Sequence, residues 1–122
     1  MPEDKYSFVP TNGEFKGVRT YAQLAKHVAA DNYVDAAALL RERPPVEIGE
    51  RENGPDSVRS KAEILRFVRD SFEYMQKAIR TVNRGNLMKR LEFPGAQSRI
   101  PRLMIINAAK RRSIRWRVSQ LS

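Results

Sequence analysis

The sequence predicts an all-α chain of three helices, at about residues 20–42, 60–83 and 99–117. Three observations predict it. Thr20-Tyr21-Ala22-Gln23 and Ser60-Lys61-Ala62-Glu63 have the form of capping boxes, each just before apolar residues at helical period. Pro44-Pro45 and Gly85 then supply stops. A third apolar run, Leu103 to Ala109, follows Ser98, which suits a cap, and Pro101, which suits a first turn. With 122 residues, 41% of them hydrophobic, the chain fits a single domain with one core. Three helices with one very apolar member make an unbalanced core, which a fourth helix would complete.

Residues 1–18 carry no period and are punctuated by Pro2, Pro10, Asn12, Gly13 and Gly17. Tyr6, Phe8, Val9 and Phe15 are apolar enough to pack onto the body. In the first helix Tyr21, Leu24, Val28, Ala36 and Leu39 fall near one stripe, and frequent alanine favours helix and close packing. Residues 43–57 mix charge with proline and glycine, as in a surface crossover or a loose segment. The second helix has the cleanest stripe: Ile64, Val68, Phe72, Met75, Ile79 and Val82. Core packing accounts for it, with docking of a partner helix as the alternative. Residues 86–97 read as a loop with a short apolar patch and a turn at Pro94-Gly95. The third helix is apolar nearly all round as far as Ala109, the mark of the most buried helix of a bundle. Beyond it Ile114, Trp116, Val118 and Leu121 stand among arginines, in neither a clean helical stripe nor a long strand.

There is no cysteine, so disulfides, thiolate zinc sites and cysteine nucleophiles are excluded. No glycine-rich phosphate loop or paired carboxylate marks a catalytic centre, and no catalytic residue is assigned. The serines at 57, 60 and 98 have cap or turn roles at hand. No apolar run reaches membrane length, and polar Met1-Pro2-Glu3-Asp4-Lys5 opens no signal peptide, so a cytoplasmic location without membrane contact is expected. The net charge is +9, but five basic residues and no acid lie in residues 110–122. The rest carries eighteen basic against fourteen acidic residues, an ordinary surface.

The stretch Tyr21-Ala22-Gln23-Leu24-Ala25-Lys26-His27-Val28-Ala29 resembles one found in the DinB-like proteins, small four-helix bundles named for DNA-damage-inducible members. The preceding Met1 to Phe8 and Pro10-Thr11 look like that family's loop after its first helix. Ser60 to Val82, and Ser98-Arg99-Ile100-Pro101 through Asn107-Ala108-Ala109, are similar to its third and fourth helices. The likeness covers roughly residues 1–109; the loop with the histidine helix is its more specific part. It implies an incomplete DinB-like four-helix bundle lacking the first helix. It also implies a divalent metal, zinc or nickel, held by three histidines, with thiol-dependent transferase or isomerase activity in some members.

His27 matches the first of those ligands and is the one histidine in the chain. The other two positions, four residues apart on the last helix, hold Lys110 and Ile114. Neither side chain offers a lone pair at neutral pH. The resemblance therefore implies a metal site mostly lost and an activity lost with it. Asp31, at i+4 from His27, gives the histidine a simple local pair instead.

The abrupt change after Ala109 matches an out-of-frame reading of residues 110–122. The same segment supports an alternative reading from another class. Lys110, Arg111, Arg112, Arg115 and Arg117 supply charge and Trp116 a stacking surface, the parts of a small nucleic-acid-associated protein. A bundle short of one helix also leaves apolar surface that a homodimer would cover.

Overall fold

A computed structural model describes residues 2–7, 20–93 and 99–121. It is an all-α chain of three long helices and one minimal sheet, as expected of an incomplete helical bundle.

Helix α1 spans Tyr21–Leu40 and starts at the expected capping box. The Thr20 hydroxyl accepts from the Gln23 N–H at 3.0 Å, and the Gln23 side chain accepts from the Thr20 N–H at 2.9 Å. It ends with Arg41 in the left-handed region (φ 59°), three residues before the first proline. Helix α2 spans Lys61–Ile79, and the Ser60 hydroxyl caps the Glu63 N–H at 3.1 Å. It stops short of the expected Gly85. The backbone N–H groups of Arg80, Thr81 and Val82 take the carbonyls of Gln76, Ala78 and Ile79, and Thr81 Oγ1 donates to the Ala78 carbonyl as well.

The two helices run parallel. Ala25 and Ala29 share a cluster with Ile64 and Val68, and Ala36 and Leu39 share one with Met75 and Ala78. A parallel pair needs a long return connection, and residues 41–60 provide it, the surface crossover that the sequence suggested. The α2 stripe faces this core: Ile64, Val68 and Met75 are buried, and Phe72, Ile79 and Val82 partly so.

Strand β1 (Arg90–Leu91) pairs antiparallel with β2 (Ile100–Pro101), Leu91 opposite Ile100. The sequence gives this ladder no signal, being two residues long on each side. Helix α3 spans Arg102–Ser119. It begins later than expected, with Pro101 as its N-cap. Its first N–H groups are met by tertiary acceptors: Arg102 donates to the Lys89 carbonyl at 3.3 Å and Leu103 to the Leu87 carbonyl at 3.1 Å. Ser98, the expected cap, lies outside the described residues, as do Phe8, Val9 and Phe15. Tyr6 does pack down as expected, edge-on to Tyr21 at 4.9 Å between ring centroids.

Two expectations are corrected. The most buried helix is α1, not α3. Ten α1 residues are buried, five of them alanines, whereas α3 buries Ile105 and Ala109 alone. Small alanine side chains let α2 and α3 approach α1 from different sides, so α1 becomes the centre. Leu24, placed on the core stripe by its spacing, is 49% exposed. Met104, Ile114 and Val118 of α3 are exposed as well, interleaved with the exposed Lys110, Arg111, Arg115 and Arg117, and Leu121 beyond its end is exposed too.

Residues 110–119 continue α3, two residues past the expected end near 117, and dock antiparallel on α1. Trp116 stacks on Tyr21 at 6.5 Å between centroids, and the Tyr21 hydroxyl lies 3.3 Å from Ser119 Oγ. No helix among the described residues is long and apolar enough to cross a membrane.

Candidate metal centre

His27 faces the crossover. A tight loop brings the crossover back onto α1, closed by the Gly54 N–H donating to the Ile48 carbonyl at 2.7 Å. Two glycines make that closure possible. Gly49 sits at φ 79°, ψ 173°, a region that side chains avoid, and a Cβ there would lie 2.1 Å from the Gly54 carbonyl oxygen. Arg51 and Glu52 between them also adopt positive φ, 55° and 58°.

Two adjacent α1 side chains hold this loop. Lys26 Nζ donates to the Pro55 carbonyl, and His27 Nδ1 lies 2.8 Å from the Glu52 carbonyl oxygen. A carbonyl can only accept, so Nδ1 carries a hydrogen. In the neutral ring the lone pair is then on Nε2. That atom lies 3.3 Å from Asp31 Oδ2, one helical turn along.

One ligand atom from each of His27, Asp31 and Glu52 lies within 4.8 Å of the other two. His27 and Asp31 are about a quarter exposed at the side chain and Glu52 is exposed. The two carboxyls are close enough to share a hydrogen bond. Burial first, and then that bond, push Asp31 up to about 7, against the nearby positive charge of Arg112. Asp31 is thus a carboxyl short of a cation, facing a nitrogen lone pair and a second carboxyl.

The donor set fits a divalent ion. A tetrahedral ion with bonds of about 2.0–2.1 Å holds its ligand atoms roughly 3.3 Å apart, the separation of His27 Nε2 and Asp31 Oδ2. The Nδ1–H bond to a backbone carbonyl fixes ring and tautomer, as outer partners of metal-bound histidines do. Glu52 on the solvent side leaves room for water. Asp31 and Glu52 border an open cleft of about 580 Å³ that also takes in Val34, Asp35, Ile48 and Arg112.

The sequence singled out His27 and its neighbour at i+4, and both belong here. It did not single out Glu52. The available signal was the pair of glycines, 49 and 54, bracketing an acidic turn. The two other positions implied by the family resemblance do not join the cluster: Lys110 and Ile114 are exposed, Ile114 by 53%. In this half of α3 the side chains that reach α1 include Arg112, Trp116 and Ser119 instead.

Arg112 is engaged deeply. Its Nη2 donates to Asp35 Oδ2, and its Nε donates to Asn32 Oδ1 at 3.0 Å. Asn32 Nδ2 then donates to Ser71 Oγ at 3.1 Å, and Ser71 Oγ to the Val68 carbonyl at 2.6 Å. This polar chain ties α3 to α1 and α1 to α2. Burial pushes Asp35 up, and the guanidinium opposes that shift. Of the six residues expected to form a nucleic-acid surface, Lys110, Arg111, Arg115 and Arg117 are exposed. Arg112 and Trp116 are turned inward, so the aromatic ring does not stand beside the exposed charges.

No family model, no curated protein and no solved structure matches the chain.

Proposed function

We propose that the chain is a divalent-metal-binding helical bundle of the DinB-like kind, in which His27, Asp31 and Glu52 take the ion in place of three histidines. One observation carries this reading. The Nδ1–H bond to the Glu52 carbonyl turns the Nε2 lone pair toward the Asp31 carboxyl, with a Glu52 carboxylate oxygen in the same cluster of ligand atoms. A nitrogen and two carboxylate oxygens suit zinc or nickel. Bound there, such an ion supplies a Lewis acid or an activated water on the cleft side. His27 and Asp31 fix the ion to the rigid helix, and Glu52 closes the site from the loop.

Dialysis against excess zinc or nickel, then removal of free metal and mass-spectrometric metal analysis, tests the reading. Near-stoichiometric metal is expected in the unaltered chain. In His27→Ala and Glu52→Gln the affinity falls by more than the roughly 10–100-fold that loss of an outer partner costs. No retained metal in the unaltered chain overturns the reading.

The pH dependence has a definite sign. Asp31 is pushed up to about 7, so in the metal-free chain it holds a proton below that pH. The ion must displace that proton. Zinc affinity, measured by competition with a chromophoric chelator, therefore falls as the pH drops from 8 through 7 to 6.

A further inference from the structure

The basic excess outside residues 110–122 is not spread evenly over the surface. Arg41 and Arg43 from the end of α1, Arg90 and Arg99 from the two sides of the β1–β2 hairpin, and Arg102 from the start of α3 all line one open cleft of about 850 Å³. Two acids share it, Glu42 and Glu92, and Glu42 already accepts the Tyr74 hydroxyl. Among the described residues none of the five arginines is ion-paired to a carboxylate. Three are braced by backbone carbonyls: Arg90 Nη1 on Arg99 O at 2.9 Å, Arg99 Nη2 on Arg90 O at 3.0 Å, and Arg102 Nη1 on Lys89 O at 3.1 Å. Each of these bonds uses one N–H of a fork that has five. Ala38, Leu91 and Phe93 add apolar lining.

We infer that this cleft binds a small organic phosphate, with its phosphate on the arginines and its apolar body on Leu91 and Phe93. Uncompensated guanidinium groups that converge on a concave surface are the chemistry that recognises a phosphate dianion. The cleft is of the size and make-up of small-molecule sites, with apolar lining and a few convergent polar groups. A nucleic-acid strand would call for a longer basic track with several exposed aromatic rings, and the one aromatic side chain lining this cleft, Phe93, is partly buried. The inference stands apart from the metal: the two clefts share Val34, Pro44 and Phe93, but His27, Asp31 and Glu52 do not line this one.

Isothermal titration with phenyl phosphate, in buffer containing EDTA, tests it. Phenyl phosphate should bind one site per chain, more tightly than inorganic phosphate and than phenylacetate. Arg41→Gln with Arg43→Gln should weaken it about tenfold or more, one or two charge-assisted hydrogen bonds being lost. Neither side chain braces the fold, and circular dichroism checks that it is intact; Arg99→Gln is the second variant. His27→Ala and Arg115→Gln should leave binding unchanged. Four results would overturn the inference: no binding of phenyl phosphate; tighter binding of phenylacetate; loss in His27→Ala but not in the double arginine variant; or loss in Arg115→Gln, which would mean adhesion to exposed charge on α3.

Discussion

Replacing Arg112 by alanine lowers the free energy of unfolding by about 3 kcal/mol, the low end for breaking a buried pair, because the arginine keeps some contact with water. Its side chain is 14% exposed and that of Asp35 is 8%. The substitution leaves Asp35 buried without its cation and takes from the Asn32 carbonyl oxygen its donor. It also removes the main polar tie between α3 and α1, whose apolar contact is thin. The deficit depends on pH in a way that packing loss alone does not produce. Burial already raises Asp35, and removing the guanidinium raises it further. A raised carboxyl weakens the folded state above its unfolded value, near 3.8, and the cost fades as the pH falls back toward it. Urea titrations should therefore show the gap between Arg112→Ala and the unaltered chain narrowing from pH 7 to pH 4. Asp35→Asn combined with Arg112→Met, which removes both charges, should recover much of the loss. A gap independent of pH would show that the side chain acts through packing alone.

Gly49→Ala has the second large effect, and it separates the loop from the helices. A Cβ at position 49 would stand 2.1 Å from the Gly54 carbonyl oxygen, in a backbone region that is nearly closed to side chains. Backbone must move, at a cost of about 2–3 kcal/mol in the loop. The turn that carries Glu52 moves with it, so zinc retention is lost although His27 and Asp31 are untouched. Gly85→Ala is the control. A Cβ there meets only the Asn83 side-chain oxygen at 3.1 Å, and the expected change is within about 0.5 kcal/mol. Full zinc retention in Gly49→Ala would show that Glu52 is not a ligand.

Much of this is local and was readable in the residues. The Thr20 and Ser60 caps hold because a hydroxyl and an N–H three residues on need nothing from the rest of the chain. The α2 stripe holds because its moment is large and its partner lies on one side. His27 and Asp31 share a face for the same reason, a spacing of four residues on one helix.

The remainder depends on contacts distant in the chain. Residues 110–119 look alien to a bundle when read by period, because what docks them is not an apolar stripe. It is one guanidinium on Asp35 and Asn32, and one indole on Tyr21, about eighty to ninety-five residues away. The burial of α1 rather than α3 follows from alanine, which scores as weakly apolar but lets two neighbours come close. Glu52 reaches His27 only because two glycines fold the crossover back on itself.

The sequence by itself determined where α1 and α2 start, which face of α2 is core, and that His27 and Asp31 stand together. Each of these is decided within a few turns of one helix. The tertiary structure alone decided that α1 is the centre, that Glu52 completes the triad, and that five scattered arginines share a cleft. Those outcomes depend on how the helices and the connections between them come together, which spacing along the chain does not encode.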